Sequence, residues 1–174
     1  IGAGATWLNA ARMGSASDYA AAVTAMRADL SAQPDAEDLI RYATLAPNGH
    51  NTQPWSFAAA PGAVTIRPDF TRRTPVVDPD DHHLFVSLGC AAENLALAAA
   101  ARGRVGQPVF NDRDGGSINF VHSPSAPRSS PLFDAIPVRQ STRADYDGRA
   151  VRPDVLNTLA AAGSSPEVDL VLIT

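Results

Sequence analysis

The chain of 174 residues contains no lysine; all 14 of its basic residues are arginine. That absence removes Schiff-base chemistry and a Walker-type phosphate loop, both of which need a lysine amine. Any clamp on a phosphate or carboxylate must be a guanidinium, which grips such groups with two parallel hydrogen bonds. A single cysteine, Cys90, excludes an internal disulfide and leaves the compartment undetermined. Charged residues make up 18% and the formal net charge is −4, so a broad basic face for nucleic acid is not expected. No apolar run is expected to reach the length of a membrane span. A hydrophobic content of 45% fits an ordinary globular chain of one domain's length.

The N-terminal stretch Ile1-Gly2-Ala3-Gly4-Ala5-Thr6-Trp7-Leu8 is small and apolar. It reads as the tail of a signal h-region, with export to the periplasm or cell envelope, or as an ordinary apolar arm in a cytoplasmic protein. Residues 1–16 form this arm. Helices are expected at about Ser17–Ala32, Asp35–Ala46, His83–Arg102, Phe133–Arg139 and from Pro153 to Gly163. Strands are expected at Trp55–Ala60, Ala63–Pro68, Val109–Phe110, Ser117–His122 and Val168–Ile173, the first two joined across Pro61-Gly62. Segment 123–132 holds four serines and three prolines and reads as a linker.

The most informative stretch is Ala46-Pro47-Asn48-Gly49-His50-Asn51-Thr52-Gln53-Pro54-Trp55. It places amides, an imidazole, a glycine and two prolines between a helix and a strand. Each amide both donates and accepts hydrogen bonds, as the edge of a flat heterocycle requires. His50 could shuttle a proton or make a structural hydrogen bond. A second stretch, Arg139-Gln140-Ser141-Thr142-Arg143, sets two guanidinium groups around two hydroxyls, suited to a phosphate or to a solvated helix end. In the third, Asp78-Pro79-Asp80-Asp81-His82-His83, adjacent imidazoles diverge on a helix, so helix capping is the simpler account and no metal site is expected. Cys90, among small residues and without a setting that favours thiolate, reads as a structural thiol. No side chain is singled out as catalytic.

The loop resembles the Pro-Ser-x-x-Asn-x-Gln-Pro-Trp segment of the FMN-dependent nitroreductase family, with Asn48 at the usual serine. The Arg139–Arg143 stretch resembles that family's phosphate segment, with Tyr146 in place of the usual phenylalanine. The Asp78-Pro79 start and Ser87-Leu88-Gly89-Cys90-Ala91-Ala92-Glu93-Asn94-Leu95 resemble the Acg-like branch, in which two halves are fused in one chain. The loop precedes the phosphate segment here, which is the order a fused pair gives. The resemblance implies an α+β fold with a nitroreductase-like mixed sheet flanked by helices, as a truncated pseudo-dimer. It implies a first half over 17–122 and the start of a second over 133–174. It further implies FMN held by Pro47, Asn48, Gly49, Asn51, Gln53, Arg139, Ser141 and Arg143. The implied activity passes electrons from NADH or NADPH to a nitroaromatic or quinone. The alternative is a protein that sequesters flavin without turnover. The partners are then a small-molecule donor and acceptor, with room for a homodimer, because simple members build their sites between two subunits.

Overall fold

The computed structural model describes residues 14–164, 168 and 170–173. Most of the N-terminal arm lies outside them, as does Asp169 of the expected strand at Val168–Ile173; of that strand's described residues, Val168 makes only an isolated bridge and 170–173 form no strand. The chain divides into two compact units, Ile1–Gln140 and Ser141–Thr174.

In the first unit, helix α1 spans Ala16–Met26 and α2 spans Ala36–Thr44. Strands β1 (Trp55–Ala60) and β2 (Ala63–Pro68) follow. Helix α3 (His82–Ala101), strands β3 (Arg104–Asn111) and β4 (Ser117–Pro124) and the short helix α4 (Pro131–Ala135) complete the unit. The strands form one sheet in the order β1-β2-β4-β3, and all three pairings are antiparallel. This is the expected α+β class.

The helix starts follow their caps. Ser15 and Asp18 close a reciprocal capping box on α1. The Asp35 carboxylate accepts from Asp38 N at the start of α2. Gly103, just past α3, takes φ +71°, the left-handed turn that ends a helix and suits glycine. Helix α2 faces α3 through Leu39, Tyr42 and Ala43, all buried. Asn94 on α3 donates to the Tyr42 carbonyl at 3.2 Å. The sheet adds Val64, Ile66, Ile118 and Phe120 to the same core, and Trp55 anchors its edge.

Helix α3 is 20 residues of high mean hydropathy, long and apolar enough to cross a membrane by length and composition alone. Glu93 and Asn94 interrupt its apolar residues. Half of its most apolar stretch is buried within this chain.

Helix α1 is shorter than expected and buries none of its residues; Tyr19 is 74% exposed. The chain leaves the helix after Met26 because its next carbonyls are claimed from outside. Arg41 donates to the carbonyls of Met26, Ala28 and Asp29. Arg102 donates to Leu30 and Ser31, both at 2.8 Å, and Arg104 donates to Pro34. Leu30, inside the helix expected over Ser17–Ala32, enters the core from this segment, its N–H bonded to the Tyr42 hydroxyl.

Strand β3 is longer than the expected Val109–Phe110, because its edge position tolerates Pro108. Helix α4 ends short of the expected Arg139. In the second unit, α5 spans Pro153–Gly163, as the proline start implied. Residues 141–150 are exposed and form no helix or strand.

Asp38, Asp78 and His122 contribute to a pH dependence. The Arg41 guanidinium, with Ser31, holds the Asp38 carboxyl below its ordinary 3.8. Burial pushes Asp78 up, and hydrogen bonds from His83 and Leu84 outweigh it and pull it below 3.8. The stability these carboxylates carry is complete above that value and is lost as pH falls below it. Burial, aided by Arg104, depresses the His122 imidazole below 6.5. The unfolded chain therefore takes up that proton first, and stability declines as pH falls below about 6.5. Urea midpoints are expected to drop between neutral pH and about pH 5, and His122→Gln is expected to flatten that drop. An equal drop in the variant would remove His122 as the cause.

Candidate functional site

The loop from Pro47 to Pro54 is built against backbone preference and fastened at several points. His50, Asn51 and Gln53 adopt φ of +52°, +56° and +50°. Each left-handed residue with a Cβ costs roughly 1–2 kcal/mol, so three within four residues need outside support. The support is visible. Asn48 Oδ1 accepts from Gln53 N at 2.8 Å, closing the loop across its mouth, while Asn48 Nδ2 donates to the Ala46 carbonyl. Gly49 N donates to the Ser87 hydroxyl on α3 at 3.2 Å. Arg72 donates to the Thr52 carbonyl, and Thr52 Oγ1 donates to the Gly49 carbonyl.

This fastening leaves polar groups outward. The side chains of His50, Asn51 and Gln53 are exposed, while Pro54 and Trp55 are buried beneath them. The result is a short polar rim of amides on a fixed backbone.

Arg139 belongs to the same unit. Its Nη2 donates to the Leu45 carbonyl at 3.0 Å, at the base of the loop, and its own carbonyl accepts from Arg27. Its charge also reaches Cys90: burial pushes the thiol up, and Arg139 only partly offsets that. Cys90 therefore stays a thiol at neutral pH, as its small-residue setting implied.

Pro47, Asn48, Gly49, Asn51 and Gln53 thus share one loop, with Arg139 at its foot. Ser141 and Arg143 lie in the exposed stretch that opens the second unit. Ser87 was not foreseen as part of the site; it lies 38 residues from Gly49 and no local pattern links the two.

The acidic start of α3 is explained by capping. The Asp78 carboxylate, 4% exposed, accepts from His83 N and Leu84 N at 2.9 and 3.0 Å, and from the His83 ring at 3.0 Å. Asp81, the residue immediately before the helix, makes no cap bond; its two oxygens accept from Arg73 at 2.9 and 2.5 Å.

No family model matches the chain. Over 75 residues, 40% of its length, it is 39% identical to two Mycobacterium tuberculosis proteins. One is named "Putative NAD(P)H nitroreductase MT3217", from strain CDC 1551 / Oshkosh, and the other "Putative NAD(P)H nitroreductase Rv3131", from strain H37Rv. The matched stretch spans 21% of the length of each relative. The chain is, over that stretch, similar to these two proteins.

Proposed function

We propose that this chain binds FMN and serves an oxidoreductase that carries electrons from NAD(P)H to a nitroaromatic or quinone. One observation carries the reading: a strained, fastened loop with exposed amides, on a stretch that resembles the nitroreductase flavin loop. The donor set fits the group. Asn51 and Gln53 offer both donors and acceptors to a ring edge, and Gly49 adds no side chain that would keep a ring from the backbone. Arg139, Ser141 and Arg143 are the residue types a phosphate needs, and their assignment to it comes from the resemblance of the Arg139–Arg143 stretch. When bound, FMN supplies the hydride relay between donor and acceptor. The protein's part is to orient the ring, neutralise the phosphate and hold the loop still.

We place the chain in the Acg-like branch, with a first half over 17–122 and a second from 133. The supports are the Asp78-Pro79 start of α3, the Gly89 to Asn94-Leu95 pattern, and a phosphate segment downstream of the loop. A homodimer would complete the site in the way simple family members do.

The purified protein is expected to be yellow, to bleach with NADPH and to recover colour with a quinone. Bleaching without recovery would favour a flavin-sequestering protein, and a colourless protein that takes up no added FMN ends the proposal. Arg143→Ala removes a charge-assisted contact worth about 1.5–3 kcal/mol. FMN affinity should then fall by about 10–150-fold in a fluorescence titration. Unchanged affinity would remove Arg143 from the phosphate site.

A further inference from the structure

The entry to α3 holds an imidazole from the helix and a carboxylate from the preceding segment in a fixed relation beside the loop. Asp78 is buried, and one of its oxygens, Oδ1, lies 3.0 Å from His83 Nδ1 while also accepting from His83 N at 2.9 Å. The His83 side chain is 68% exposed, against 5% for its partner. An acceptor-only carboxylate on Nδ1 selects the tautomer that carries the proton there and leaves Nε2 toward solvent. The loop packs on this corner. A Cβ added to Gly49 would sit 3.8 Å from His83 Cβ, and Ser87, bonded to Gly49 N, also donates to the His83 carbonyl at 2.6 Å.

We infer that His83 is a proton-transfer residue of the loop site and that Asp78 is its positioning residue, an assignment that rests on the flavin reading above. The other charged or titratable groups at this corner are His82, whose ring stands edge-on at 5.4 Å, Asp80 and the Arg73–Asp81 pair. The loop adds His50. Asp81 is neutralised by Arg73, which leaves Asp78 as the carboxylate aligned with the ring. Reduction of a quinone to a hydroquinone takes a hydride and a proton. The hydride would be supplied by NAD(P)H through the proposed flavin. The Nε2–H bond of the imidazolium breaks, its electron pair stays on nitrogen, and the proton forms an O–H bond on the reduced quinone. His83 is left neutral, its proton kept on Nδ1 and donated in a hydrogen bond to Asp78, and solvent restores the proton at Nε2.

The first test needs no cofactor. Nitrogen-15 NMR of the histidine rings in the whole chain should show neutral His83 protonated at Nδ1. Asp78→Ala removes the acceptor and should raise the share of the Nε2–H tautomer. An Nε2–H tautomer in the unaltered protein overturns the assignment whatever the protein binds. The second test uses the flavin-loaded protein. His83→Ala should keep its flavin and its bleaching by NADPH, slow reoxidation by quinone about 100-fold, and recover with added imidazole. His83→Gln gives the same readout without a shortened side chain. Wild-type reoxidation in flavin-loaded variants overturns this inference alone. A wild-type chain that binds no flavin overturns the functional reading and this one with it.

Discussion

Phe120→Ala is expected to lower the unfolding free energy by about 3–5 kcal/mol. Domains of this kind are stable by only about 5–15 kcal/mol, so the variant would stand near the edge of folding. Phe120 is fully buried on β4, the strand between β2 and β3, with Val64 and Pro108 as its cross-strand partners. The cost sits at the upper end because the site cannot collapse. On one side stands Gly106, which has no side chain to move in; a Cβ there would meet the Phe120 ring at 3.0 Å and the Val121 carbonyl oxygen at 2.2 Å. On the other side the backbone ladder fixes the spacing. Urea unfolding with an unchanged m value would measure the loss. A loss below about 1.5 kcal/mol would mean that the ring does not fill a close-packed core.

The second large effect is local. Asn48→Ala should release the loop while the core keeps its stability. The side chain makes two hydrogen bonds, to Gln53 N and to the Ala46 carbonyl, each worth about 0.5–1.5 kcal/mol net. Together they hold His50, Asn51 and Gln53 in left-handed geometry. Their loss should speed amide exchange at Gln53 by about 5–150-fold, with the Phe120 amide unchanged. Asn48→Asp keeps an acceptor for Gln53 N and should recover most of the protection. Equal exchange in Asn48→Ala and the parent would assign the loop's rigidity to Ser87 and Arg72 instead.

Much of this was legible in the chain because it is local. The hairpin strands lie at Trp55–Ala60 and Ala63–Pro68 as read, with Gly62 at φ +73° in the turn. The glycine and prolines that punctuate the sequence set those limits. What was not legible depends on contacts between distant residues. Strand β3 was read short because Gly106 and Pro108 disfavour a strand. Gly106 is accommodated there because the Val121 carbonyl leaves no room for a side chain. One long helix was expected over Ser17–Ala32, but arginines from α2, from the end of α3 and from β3 take the carbonyls of the segment after Met26. Asp78 was legible as a cap and not as the partner of an imidazole, since helical spacing does not say where a carboxylate five residues upstream will turn. Ser87 and Arg139 reach the loop from elsewhere in the chain, and only the fold brings them there.

Those guanidinium grips on Met26 to Pro34 also order events in time. The segment has no ladder of its own, so its carbonyls cannot be satisfied until α2, α3 and β3 have come together and delivered Arg41, Arg102 and Arg104. It should therefore be the last part of the first unit to lock during refolding and the first to admit a protease, carrying α1 away with it.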